Sequence, residues 1–496
     1  MKKAISIGIQ GFSALREQDC FFVDKTNFIK EWWENRDVVT LITRPRRFGK
    51  TLNMSMLECF FSNKYANRAD LFEGLSIWQE EAYRKLQGSY PVIFLSFAAV
   101  KAGNLEDAKT QIKQEIARLY RENRNLMKED IFGEDERELY YQTTVKMDDV
   151  TAQDSLRNLS EWMERYYGKK VIILLDEYDT PMQEAYVQGY WDEFTAFVRS
   201  LFNASFKTNP YLERAIMTGI TRVSKESIFS DLNNLQVITT TSDLYADCFG
   251  FTESEVFHVL DEFGMGDKKD EVKQWYDGFT FGEHKDIYNP WSITNYLDKR
   301  KTYPYWASTS SNGLVSRLIR TASADVKEKM EDLLNGREIV VSFDEQIVYN
   351  QLDHNENAIW SLLLASGYLK VKHVDYRGIT REPWYTLDIT NIETLSMFTT
   401  MFQDWFQNQD ANYGYFMKAL INGDLEAMNY YMNKVALATF SYFDVGSGNG
   451  SDPEPERFYH GFVLGLIAER AGIYEIRSNR ESGSVTMDLS LKGRRF

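Results

Sequence analysis

Asp37-Val-Val-Thr-Leu-Ile-Thr43 runs straight into Arg44-Pro-Arg-Arg-Phe-Gly-Lys-Thr51, and the next ten residues, LNMSMLECFF (52–61), follow a helical period. A buried strand, a short loop ending in Gly-Lys-Thr and an immediate helix form the context that cradles phosphate. The helix N-terminal amides face the anion. Lys50 has the reach for β- and γ-phosphates, and the Thr51 hydroxyl is a ligand for Mg²⁺. Arg44 occupies the first glycine position of the GxxxxGK[ST] pattern. The arginines at 44, 46 and 47 add positive charge beside the loop, although a strand-to-helix turn with a basic rim would carry the same residues. Arg44, Pro45, Arg46, Arg47, Phe48, Gly49, Lys50 and Thr51 are therefore the candidate nucleotide contacts.

Working outward, Pro91–Phe97 (PVIFLSF), Val171–Leu175 (VIILL) and Arg214–Gly219 (RAIMTG) read as further buried strands. Helical stretches lie between them, including Thr51–Asn63 and Leu105–Asn123. Such alternation predicts a parallel sheet covered on both faces. VIILL ends in Asp176 and Glu177. In nucleotide hydrolases with an additional central strand, the aspartate supports Mg²⁺ and the glutamate polarises the attacking water. Alone the pair reads first as a solvated strand end; downstream of Gly-Lys-Thr it points to ATP. A third strand end, Thr218-Gly-Ile-Thr-Arg222, offers Thr218 as a sensor of the γ-phosphate and Arg222 as a group for phosphate or a partner's site, or simply a helix cap.

The 496 residues include 57 Lys+Arg and 73 Asp+Glu, a net charge of −16. This acidity argues against a general polyanion-binding surface, while a local basic groove for nucleic acid stays open. Hydrophobic residues at 43% supply several packed cores, and the length suggests about three domains. Cys20, Cys59 and Cys248 form neither a disulfide framework nor a zinc pattern. The densest aliphatic run, Val171–Leu175, is too short to span a bilayer, and no signal-cleavage pattern follows the start. The expectation is a soluble cytoplasmic protein without a membrane partner.

Beyond about residue 250 helical patterns dominate, as in Glu253–Phe263 and Asp325–Asn335. The charged stretch from about 120 to 150 reads as an exposed helical insertion. Gly446–Pro455 reads as a linker, 456–472 as a helix, and Ile473–Arg477 and Val485–Leu491 as strands joined by a turn at 481–483. The domains expected are an ATPase core at 1–245, a mainly helical lid and middle region at 246–445, and a C-terminal part at 453–496. Trp32, Trp33, Trp275 and Trp291 read as core and lid packing.

The stretches FFVDKTNFI (21–29), LITRPRRFGKTLNMSML (41–57), LLDEYDTP (174–181), GITRVSKESIFSDLNNL (219–235), WYDGF (275–279) and YNPWSI (288–293) together resemble the AAA-ATPase-like family of gut Bacteroidetes and related anaerobes. In that family the Arg-Pro-Arg-Arg-Phe-Gly-Lys-Thr loop is normal. The resemblance implies an ATPase core and a helical lid, which agrees with the reading of the residues themselves: an α/β P-loop ATPase using ATP and Mg²⁺, with Thr51 on the metal, Asp176 on it through water, Glu177 as general base, and Thr218 and Arg222 beside the γ-phosphate. It also implies an α+β, restriction-endonuclease-like C-terminal part of the PD-(D/E)XK type. There Asp488 matches the metal-binding aspartate, with Glu456 opening the helix. The expected Glu-x-Lys strand is absent, because Ser490 stands two before Lys492. That part reads as incomplete, with Glu456 and Asp488 as a degenerate site, and His460 as a packed helix residue.

DNA or RNA is a candidate partner, as is a second copy of the chain, because no arginine finger is assignable in cis. Two rivals stand beside the ATPase reading. One is a nucleotide-gated interaction module with little turnover, and the other an ATP-regulated DNA nuclease.

Overall fold

The computed structural model describes residues 3–128, 131–222, 228–229, 232–307, 313–345, 349, 352, 355–407, 419–420, 422–430, 474–478 and 489–493. They form a mixed α/β structure that divides into two compact units. The first comprises Met1–Thr302 with Asp344–Asp353 and Leu364–Gly367. The second comprises Tyr303–Phe343, His354–Leu363 and Tyr368–Phe496.

Five parallel strands build the first unit: β1 (Val39–Thr43), β2 (Val92–Ser96), β3 (Val171–Asp176), β4 (Leu212–Gly219) and β5 (Leu235–Ile238), in the order β2-β3-β4-β1-β5. β1 and β3 are buried along their whole length, which is why they read as unbroken aliphatic runs. β4 lies between β1 and β3, the additional-strand arrangement. The register pairs Thr43 with Gly219 and Leu175 with Met217, so the carboxyl ends of these three strands finish together. In an open parallel sheet that edge is where ligands bind. β5, with the sequence Leu-Gln-Val-Ile, escaped the sequence reading because it is a short edge strand, only partly buried, with no aliphatic run.

The Lys50–Phe61 helix leaves β1 and buries Met54, Met56, Leu57, Phe60 and Phe61. They pack with Phe12, Phe28, Trp32, Ile42, Ile172 and Leu174 in one core. Trp32 is fully buried and donates its indole N–H to Thr40 Oγ1 at 3.2 Å. On the other side, the Leu105–Glu122 and Asp149–Tyr167 helices start at Asn104 and Asp148. These cap the Asp107 and Thr151 amides at 2.9 and 2.7 Å. The insertion following 120 forms a short 3₁₀ turn, Arg124–Lys128, and a helix, Glu134–Gln142.

The boundary expected at 245 falls inside this unit, which continues through Thr302. Three short antiparallel strands, β6 (Phe251–Thr252), β7 (Phe279–Phe281) and β8 (His284–Tyr288), pair in the order β6-β8-β7 among the Glu253–Glu262, Lys269–Tyr276 and Pro290–Lys299 helices. Apolar contact holds them to the core. Phe48 packs edge-on to Phe279 and Phe281, and Phe21 packs edge-on to Phe251 and Phe263. The three cysteines are free and buried.

The second unit contains the Gly313–Thr321, Ala324–Leu334 and Ile392–Gln407 helices and, up to Leu363, the Ala358–Ala365 helix. It also holds an antiparallel sheet of β9 (Ile339–Val341), β10 (Leu369–Arg377) and β11 (Glu382–Ile389), ordered β10-β11-β9. The stretch read as mainly helical thus carries two antiparallel sheets as well. Their strands are short or half-exposed and lack the aliphatic runs that mark the parallel strands. Near the C-terminus, β12 (Tyr474–Ser478) pairs antiparallel with β13 (Leu489–Gly493), Ile476 opposite Leu491. Glu456, His460, Asp488, the 446–455 linker and the 481–483 turn lie outside the described residues. Among those described, no helix is long and apolar enough to cross a membrane.

Candidate active site

The loop between β1 and its helix turns twice through left-handed backbone, at Arg47 (φ 66°) and Gly49 (φ 82°), before the helix begins at Lys50. Gly49 is the residue suited to the second of these turns, since a side chain there would strain the backbone. Lys50 is only 3% exposed. Its Nζ donates to the carbonyls of Arg44 and Pro45, both at 3.1 Å, and lies 3.5 Å from Glu177 Oε1.

One residue along, the Thr51 hydroxyl donates to Asp176 Oδ2 at 2.8 Å. From β4 the Thr218 hydroxyl donates to Asp176 Oδ1 at 2.6 Å. Asp176, fully buried at the end of β3, is thus held by a hydroxyl on each oxygen. Burial pushes its carboxyl pKa up and the neighbouring Glu177 adds to that, while the two hydroxyls and Lys50 pull it back. Glu177 follows in left-handed backbone (φ 53°), an unusual conformation for a non-glycine residue, and its side chain is partly open to solvent.

The remaining loop residues also contact the protein around them. Phe48 is buried on Phe279 and Phe281, and Pro45 is buried beside Gly367, where a Cβ would meet its Cγ at 2.8 Å. Arg46 is half-buried and its carbonyl accepts from Asn289 Nδ2 at 3.2 Å. Arg47 is exposed, with its guanidinium 4.4 Å from the Trp291 ring, so Trp291 supports the loop from a half-buried position rather than filling a core. Arg222 is half-buried at the edge of the described segment.

Arg44 requires a correction. Its side chain is fully buried and points to backbone carbonyls rather than to Lys50 and Thr51. The guanidinium donates to the carbonyls of Thr43 (3.0 Å), Thr239 (2.6 Å), Leu244 and Tyr245 (both 3.4 Å), and lies 4.4 Å from the Phe281 ring. Burial lowers its pKa to about 9, which still leaves it charged at pH 7. Its positive charge is spent on the protein's own carbonyls, so only the Arg44 backbone serves the loop.

Two residues not singled out from sequence complete the arrangement. Asp179, fully enclosed after β3, accepts three hydrogen bonds from the chain leaving β4. Burial and the Glu177 charge push its pKa up against the pull of the Thr221 donors. Asn289 caps the Pro290–Lys299 helix through the Trp291 amide at 2.9 Å while gripping Arg46. The acid two places past Glu177 was a legible signal for the first. Asn-Pro reads only as a helix start, so nothing in the sequence marked the second.

Comparison with known proteins agrees with this geometry. Residues 6–229, which include β1, β3 and β4, match the family model described as predicted AAA-ATPase. The chain is also 27% identical over 398 residues to an uncharacterised protein in the vnfD 5' region of Azotobacter chroococcum mcd 1, covering 79% of this chain and 68% of that protein. The first compact unit is accordingly similar, over most of its length, to an AAA-type ATPase domain.

Proposed function

We propose that the chain binds ATP with Mg²⁺ and hydrolyses it at the carboxyl edge of β1, β3 and β4. The observation that carries this reading is the chain Thr51–Asp176–Thr218, which joins the phosphate loop, the acidic strand end and the sensor position through hydrogen bonds of 2.8 and 2.6 Å. The donor set fits Mg²⁺. Thr51 Oγ1 would hold the ion directly and Asp176 would hold it through a water, both being hard oxygen donors, here 2.8 Å apart. When bound there the ion would neutralise charge on the β- and γ-phosphates.

Within the protein, Lys50 draws the γ-phosphate toward the helix N-terminus, and Glu177 accepts the proton of the attacking water. The Lys50–Glu177 pair links these roles, since the lysine that moves to phosphate releases the carboxylate that must act as base. The same pair supports the second reading, a nucleotide-gated module, because a base engaged by lysine turns over slowly.

Binding and steady-state hydrolysis of ATP by the full chain, by Lys50→Ala and by Glu177→Gln test both readings. Lys50→Ala is expected to abolish binding, and Glu177→Gln to bind normally and not hydrolyse. Unchanged affinity in the first variant, or wild-type turnover in the second, refutes the assignment. Binding without measurable turnover in the wild type selects the gated module.

A further inference from the structure

Past Glu177 the chain continues into Tyr178 and Asp179, both buried. Asp179 Oδ2 accepts from the Ile220 amide (2.9 Å), the Thr221 amide (2.7 Å) and the Thr221 hydroxyl (2.7 Å). Tyr178 donates its amide to the Thr218 carbonyl at 2.9 Å and its hydroxyl to the Thr221 carbonyl at 2.8 Å. Two consecutive residues thus grip the segment 218–221 from its first residue to its last.

Gly219, inside that segment, makes the grip possible. A Cβ there would lie 2.6 Å from Asp179 Oδ1 and 2.7 Å from the Tyr178 ring. Among the described residues Oδ1 itself has no hydrogen-bond partner. A carboxylate enclosed this deeply with one oxygen unpaired costs stability, so packing alone is a poor account of it.

We propose that Asp179 is a positioning residue for ATP hydrolysis, holding Thr218 and the chain that leads to Arg222 in register with Asp176 and Glu177. The inference rests on the ATPase reading above. Asp176 joins the Thr51 and Thr218 hydroxyls directly, and the Asp179 grip fixes the backbone that delivers Thr218 to it. Releasing that backbone moves the sensor hydroxyl and Arg222 relative to the base, while the phosphate loop, which carries most of the binding contacts, keeps its own hydrogen bonds.

The test compares the full-length wild type with Asp179→Ala, Asp179→Asn and Gly219→Ala. The measurements are ATP affinity, kcat, and amide hydrogen exchange at residues 220 and 221. Asparagine presents an oxygen to the same three donors, so it is expected to preserve amide protection and most of kcat. Alanine is expected to expose both amides and lower kcat on the order of 100-fold, the scale of an ångström-sized misplacement, with affinity nearly unchanged. Gly219→Ala leaves every polar group in place and is expected to lower kcat for the same reason.

A folded Asp179→Ala chain that hydrolyses ATP at the wild-type rate overturns the proposal and leaves the ATPase reading standing. A wild type that binds no ATP overturns both. Parallel loss of affinity and kcat in Asp179→Ala, without rescue by asparagine, shows a purely structural role and overturns the positioning role.

Discussion

Replacing Arg44 by methionine separates a structural arginine from a phosphate-binding one. The substitution keeps the length and apolar stem but removes two close charged hydrogen bonds, at 3.0 and 2.6 Å, and a guanidinium stacked 4.4 Å from Phe281. It leaves the Thr239 carbonyl buried without that donor. Losing a buried donor to a carbonyl costs about 1–3 kcal/mol per group, and a desolvated cation–π contact adds up to about 2 kcal/mol. Relief of the cost of burying the charge offsets part of this. A net loss of about 4 kcal/mol results, a large share of the roughly 5–15 kcal/mol that holds a domain together.

At about 2–4 °C per kcal/mol for a unit of this size, the first thermal transition falls by roughly 8–16 °C. Calorimetry on Arg44→Met and Arg44→Lys, with ATP titrations well below the transition, checks this. Both variants are expected to melt early and, while folded, to bind ATP with wild-type affinity. Lysine does not rescue, because a single ammonium cannot serve a fork of carbonyls. A Tm unchanged by more than about 2 °C together with a tenfold or greater loss of ATP affinity would show that the guanidinium faces phosphate and that the burial argument is wrong.

Asp277, in the Trp-Tyr-Asp-Gly-Phe stretch, is raised to about 7, first by burial and then by the hydrogen bond and charge of Asp286. The folded protein therefore keeps a proton that the unfolded chain releases near pH 4, so stability falls as pH climbs from about 4 to about 7. Asp277→Asn is expected to flatten that arm in melting curves between pH 5 and 8, and an unaltered slope would count against it. The apo chain is expected to associate weakly and to self-associate with ATP, an arginine being supplied in trans; identical sedimentation with and without nucleotide refutes this. Residues 1–496 are expected not to cut plasmid or single-stranded DNA with Mg²⁺ or Mn²⁺, since Ser490 rather than an acid stands two residues before Lys492. Cleavage that disappears in Asp488→Ala would reverse that expectation.

Chemistry that depends on contiguous residues was legible without coordinates. Val39–Thr43 and Val171–Leu175 announce buried parallel strands because both faces are covered and no alternation is possible. Gly49-Lys50-Thr51 and Asp176-Glu177 sit at strand ends, where the backbone alone places them at the sheet's carboxyl edge. The strand-end carboxylates suggested an additional central strand and Thr218 a sensor, but that β4 separates these two strands, and that Thr51, Asp176 and Thr218 hydrogen-bond in one chain, only the structure shows. What the tertiary structure decided is where side chains point when several choices are chemically reasonable. Arg44 looks like one more phosphate ligand in the one-dimensional string. Its direction depends on carbonyls some two hundred residues later, at Thr239, Leu244 and Tyr245, which no local pattern connects to it. Asp179 and Gly219 likewise acquire meaning only together, because a close approach between the chain after β3 and the end of β4 is a property of packing and not of either sequence. The antiparallel strands of 251–288 and 339–389 escaped notice for a related reason. A short or half-exposed strand takes its stability from its partners, and its own residues carry little of the signal.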